Sequence, residues 1–121
     1  MMKALILVDH GSTVEEANTL LQEVAYRARA YPYSPFDMVE HCHMELCSPS
    51  IKDAFFKCVK AGASDITVHP YFLAPGRHSK SDIPRMVAEA ARDFPHVKYR
   101  VTEPLGLHEK IIEVIFERSL L

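Results

Sequence analysis

The sequence predicts a three-layer α/β domain: a four-stranded parallel sheet in the order 2-1-3-4, with helices on both faces. Three observations predict it. Short runs rich in Val, Ile and Leu alternate four times with segments whose apolar residues recur at helical spacing. The first and third runs are almost continuously apolar, as strands covered on both sides are, whereas the second and fourth mix in polar residues, as edge strands do. The total of 121 residues is the length of one domain, expected to span 1–121.

The elements follow in order. Residues 3–9 read as the first strand, ending in Asp9-His10-Gly11-Ser12. Residues 14–30 read as a helix through Ala17, Leu20, Leu21, Val24 and Ala28, with Ser12 or Thr13 as its cap and Glu15 and Glu16 suited to its positive end. Pro32 and Pro35 break the chain before a strand over 37–44. Ser48-Pro49 predicts the next helix start, with proline at the first helical position, and Gly62 the helix end. Residues 66–73 read as the third strand. The helix over 82–94 has Pro84 in its first turn, where a missing N–H does little harm. Val97, Tyr99 and Val101 alternate with polar residues as a half-exposed strand does, and Leu107, Ile111, Val114 and Ile115 mark a last helix.

Composition narrows the function. A formal charge of −2 with no basic run speaks against a nucleic-acid surface. No apolar stretch approaches the ~20 residues of a membrane span. Cys42, Cys47 and Cys58 are odd in number and lack C-x-x-C spacing, so they read as reduced thiols. With the first strand beginning near residue 3, no leader is expected and the reading is cytoplasmic.

The 2-1-3-4 order places a switch point between strands one and three, where open α/β sheets bind ligands beyond their carboxyl ends. His10 leaves the first strand there and His78 lies in the loop after the third. One such histidine can be explained as a turn residue bonding the backbone. Two at one edge point to a divalent metal, for which neutral imidazole is well suited. Glu45, just past the second strand, can take a proton or complete a metal site, or simply favour the following helix N-terminus. Arg77, Lys80 and Arg85, beside a helix start, suit a carboxylate or phosphate. Strand alternation puts His41, His43 and Glu45 on one face, either as ligands or as the polar face of an edge strand. His69 reads as packed before Pro70; His96 and His108 read as solvated.

Asp9-His-Gly-Ser12, His43-Met-Glu-Leu46 with Pro49-Ser-Ile-Lys-Asp-Ala-Phe55, and Tyr71-Phe-Leu-Ala-Pro-Gly-Arg-His78 with Asp82-Ile-Pro84 resemble the sirohydrochlorin chelatases, in order and over nearly the whole chain. These small class II chelatases put Fe²⁺ or Co²⁺ into a tetrapyrrole. The resemblance implies a flavodoxin-like domain, metal held by His10 and His78, and no tightly bound cofactor, the metal being a substrate. It also implies a homodimer, since longer members carry two lobes around one cleft and this chain resembles the one-lobe form. Both the sirohaem and the cobalamin branch have short members.

The chemistry agrees with that resemblance. Imidazoles bind Fe²⁺ or Co²⁺ reversibly, and they or Glu45 can accept the pyrrole protons. Arg77, Lys80 and Ser12 are the candidate contacts to the macrocycle and its rim carboxylates. A non-catalytic metal or tetrapyrrole carrier would use the same ligands, and turnover separates the two. A histidine phosphatase needs arginine immediately before its histidine; Asp9 stands there and would repel phosphate. A signalling receiver domain wants an acidic residue where the third strand ends in Tyr71-Phe-Leu73.

Overall fold

A computed structural model of the chain describes residues 1–74, 76 and 79–121. Its elements are β1 (Met2–Asp9), α1 (Glu15–Ala30), β2 (Met38–His43), α2 (Ile51–Lys60), β3 (Ala63–Pro70), α3 (Ser79–Ala91), β4 (Lys98–Val101) and α4 (Glu109–Ser119). The strands are parallel and ordered β2-β1-β3-β4, as the apolar patterning predicts.

The two-residue period of β1 divides the core. Ala4, Ile6 and Val8 face one side, where they pack with Cys42, Ile66 and Val68 beneath Phe55 of α2 and Ile83 and Val87 of α3. Leu7 and Val39 face the other side, beneath Leu21 and Ala25 of α1. Each buried Val, Leu, Ile or Phe among them contributes about 1.5–3 kcal/mol by leaving water, which is what clamps the helices to the sheet. Among the described residues no helix is long and apolar enough to cross a membrane. The three cysteines are free, as their spacing predicts.

Several element ends differ from the sequence reading. α1 has no side-chain cap: the Ser12 hydroxyl accepts from the Val14 N–H at 2.9 Å, and Asn18 ties down the Ser12 backbone through bonds of 3.0 and 2.8 Å. α2 begins after Pro49, not at it. Ser50 caps it in a reciprocal box with Asp53, both bonds being 3.0 Å. A cap at Ser48 would have put Ile51 where the box needs a carboxylate. β3 starts at Ala63 because Met2 extends β1 and pairs with it. It ends at Pro70, which has no N–H for the ladder. α3 starts at Ser79, whose hydroxyl accepts from the Gly76 N–H at 2.8 Å, so Pro84 lies in the second turn and not the first. His108 is exposed, as expected, and also caps α4 by accepting from the Lys110 N–H at 3.0 Å.

α4 is the largest departure. None of its residues is buried, and Val114, Ile115 and Phe116 are each half or more exposed. Its apolar residues cover a wide arc of the helix, of which only Ile111 and Ile112 are partly covered.

Candidate active site

Parallel pairing brings the ends of β1 and β2 level, with Asp9 opposite His43. The pairing continues into the loops: the Met44 N–H donates to the Asp9 carbonyl at 2.8 Å and the Glu45 N–H to the His10 carbonyl at 3.2 Å. His10 and Glu45 both lie at the carboxyl edge, as the sequence predicts, and are joined there backbone to backbone. Gly11 makes this approach possible. Its φ is 88°, and a Cβ there would collide with the Glu45 carbonyl oxygen and sit 3.2 Å from the His43 Cβ. Leu46 adopts φ 74° immediately after Glu45, an uncommon conformation for a branched residue and a sign of a constrained turn.

The His10 ring is exposed and stacks on Phe72 from the loop after β3, with centroids 4.6 Å apart and planes 23° off parallel. That loop approaches His10 at a second point: a Cβ at Gly76 would lie 3.9 Å from His10 Cε1. Thus the loops after β2 and β3 both meet His10, the first at its backbone carbonyl and the second at its ring. His78 and Arg77 lie outside the described residues. Lys80 is exposed in the first turn of α3, and Ser12 stays beside the site through its bonds to Asn18 and Val14. Arg85 does not join Lys80 as a free cation. It pairs within its own helix, 3.6 Å from Asp82 and 3.0 Å from Glu89.

His43 is not part of a solvated edge face. It is 2% exposed, and its Nδ1 lies 2.6 Å from Asp9 Oδ1. His41 meets it edge-on at 5.7 Å, and β2 ends before Glu45, so the three side chains do not form the ligand row that alternation suggested. Burial, then the neighbouring His43, holds the His41 pKa below its ordinary value. Burial likewise lowers that of His69, whose Nδ1 lies 2.8 Å from the Thr102 hydroxyl. Burial pushes the Cys58 thiol up to about 12 and raises Cys42 as well, so both stay protonated at neutral pH and are poor metal ligands or nucleophiles. Among the described residues no three His, Cys, Asp or Glu side chains gather closely enough to hold a metal ion.

Two features of the site are not among those expected from the sequence, the Asp9–His43 pair and the Phe72 stack. The first was recoverable: in the 2-1-3-4 order, the ends of strands one and two are neighbours. The second depends on how the third loop folds back, and an aromatic residue in a loop gives no such direction.

The CbiX family matches residues 4–120. The chain belongs to the CbiX family. Among its relatives, the chloroplastic sirohydrochlorin ferrochelatase of Arabidopsis thaliana is 45% identical, over 94% of this chain and 50% of its own length. The sirohydrochlorin cobaltochelatase of Sulfurisphaera tokodaii is 36% identical, over 97% of this chain and 91% of its own. The sirohydrochlorin chelatase SirB from Bacillus subtilis subspecies spizizenii, solved in complex with cobalt, superposes with a TM-score of 0.88 at 32% identity, over 98% of this chain and 50% of that one. This CbiX-family chain thus spans half or less of the length of several relatives it matches. A cavity that shares Phe72 with the His10 stack is small. About 270 Å³ lies between Phe72, Ser79, Lys80, Ile83, Thr102 and Glu103, at the low end for a small-molecule site.

Proposed function

We propose that this chain inserts Fe²⁺ or Co²⁺ into sirohydrochlorin. The observation that carries the reading is His10: an exposed imidazole, braced on Phe72, in a residue that the loops after β2 and β3 both meet beyond the sheet's carboxyl edge. Relatives of this chain are named for both metals.

Metal insertion asks for a ligand that strips water from the ion and then releases it. Imidazole binds these ions well yet reversibly. His10 and His78 take that role. The two pyrrole protons need an acceptor as the ring nitrogens capture the metal. Glu45, exposed and bonded through its backbone to His10, takes that role along with the imidazoles. Arg77, Lys80 and Ser12 hold the macrocycle, the cations meeting its rim carboxylates. Iron or cobalt is a substrate in this scheme, and no resident cofactor is needed. The buried thiols of Cys42 and Cys58 take no part.

The working unit in this reading is one lobe, residues 1–121, in a homodimer. A cavity of about 270 Å³ does not enclose a flat tetrapyrrole, so a second copy supplies the facing wall. The apolar exposed face of α4 gives the protomers a surface with which to meet. Neither nucleic acid nor a membrane is part of the scheme. Three free thiols suit a reducing compartment such as the cytoplasm, although the Arabidopsis relative is named as chloroplastic.

The test is direct. Purified protein is mixed with metal-free sirohydrochlorin and Fe²⁺, Co²⁺ or Ni²⁺ in turn, and the tetrapyrrole spectrum is followed. Repeated turnovers above the protein-free rate with iron or cobalt support the reading. Conversion that stops at one equivalent per site, or none, refutes it and leaves a carrier.

A further inference from the structure

We propose that Asp9 and His43 are positioning residues for metal insertion, holding His10 and Glu45 in fixed relation through one oxygen atom. The proposal rests on the chelatase reading above. Asp9 Oδ1 receives two donors: the Gly11 N–H at 3.0 Å and the His43 ring at Nδ1, 2.6 Å away. The first bond closes a turn from residue 9 to residue 11, and His10 is the residue enclosed by that turn. The second ties the same carboxylate to the last residue of β2, two positions before Glu45. A single atom therefore braces both loops that present the reacting side chains.

The geometry favours a specific device over general packing. The strand ladder already fixes register as far as Asp9 and His43, so the pair is not needed to align β1 with β2. It acts one step further out, where the 3.2 Å bond between Glu45 and His10 and the Met44 bond to Asp9 join the loops. His43 is 2% exposed, so its proton on Nδ1 has little water to turn to if Asp9 is lost. The carboxylate accepts both bonds, which sets the His43 tautomer with hydrogen on Nδ1. A displacement of about 1 Å at a reacting group costs up to about 10²-fold in rate, so slack in this brace shows in turnover.

Asp9→Ala and Asp9→Asn separate geometry from charge. The amide oxygen of Asn keeps an acceptor where Oδ1 stands; Ala removes it. With sirohydrochlorin and Co²⁺, Asp9→Ala is expected to lose about 10–100-fold in kcat while KM for the tetrapyrrole stays within about twofold, and Asp9→Asn to stay within about threefold of the parent. Asp9→Ala with parental kcat overturns the proposal, and so does an Asn variant that falls as far as Ala. If Asp9→Ala does not fold by circular dichroism, His43 decides. His43→Asn sets an N–H where Nδ1 stands and should keep the rate, whereas His43→Gln sets it one bond farther out and should lose about tenfold or more; equal rates overturn the proposal. A parent protein with no turnover refutes the chelatase reading and not the brace. The brace is then read from amide exchange at Glu45. Protection lost in Asp9→Ala and kept in Asp9→Asn supports it, and equal protection in both overturns it.

Discussion

Glu45 is exposed, and its hydrogen bond to His10 runs through the backbone, so its carboxylate is free for chemistry at no cost to the turn. Glu45→Gln keeps size and shape and removes the base. It is expected to slow insertion by about 10²-fold or more with metal affinity nearly unchanged, measured by initial rates and by metal titration of the same preparation. A second residue-scale prediction concerns acid. Burial holds His41 and His69 below their ordinary 6.5, so the folded chain keeps both neutral while the unfolded chain protonates them first. Stability from this source is complete above about pH 6.5 and is lost as pH falls through that value toward the lower folded pKa. Urea unfolding at pH 7.5 and 5.5 should show the drop, and His69→Gln should make it smaller. At this scale the sequence was informative where chemistry declares itself, as with His10 and Glu45 leaving adjacent strands. It misled where burial decides: His41 and His43 carry the same side chain two residues apart, and only the fold shows that the second is sealed against Asp9.

Elements were legible through their apolar period. Almost unbroken runs in β1 and β3 and mixed runs in β2 and β4 were enough to order the sheet. Element ends were less legible because several residues compete for each cap. Ser48 and Ser50 both precede α2, and the choice falls to Ser50 because Asp53 completes the box. Junctions between elements make a sharp prediction at the two glycines beside the sheet. Gly11 and Gly62 both have positive φ, 88° and 107°, but a Cβ at Gly11 meets the Glu45 backbone whereas one at Gly62 meets nothing within 4 Å. Gly11→Ala should therefore lose about 2–4 kcal/mol, backbone strain plus overpacking, and Gly62→Ala only about 1–2 kcal/mol. Chemical denaturation of the two variants side by side measures the difference.

The whole molecule leaves one helix unexplained by its own core. The spacing of Ile111, Val114 and Ile115 announces an apolar face, but periodicity does not say which surface covers it, and within this chain none of α4 is buried. In the dimer reading that face is covered by a second copy, through an interface of at least ~1,000 Å². Sedimentation should give a dimer for the parent, and a monomer with unchanged circular dichroism for Ile115→Asp combined with Phe116→Glu, both residues being half or more exposed. The central claim, that His10 is the imidazole through which this chain metallates sirohydrochlorin, is tested most directly by one paired measurement. Initial rates of Fe²⁺ and Co²⁺ insertion are compared for the parent and His10→Ala at equal folded concentration. His10 is exposed, so the variant should keep its stability within about 0.5 kcal/mol. Turnover by the parent and a loss of about 10²-fold or more in the folded variant are expected. A folded His10→Ala protein that inserts metal at the parental rate would contradict that claim.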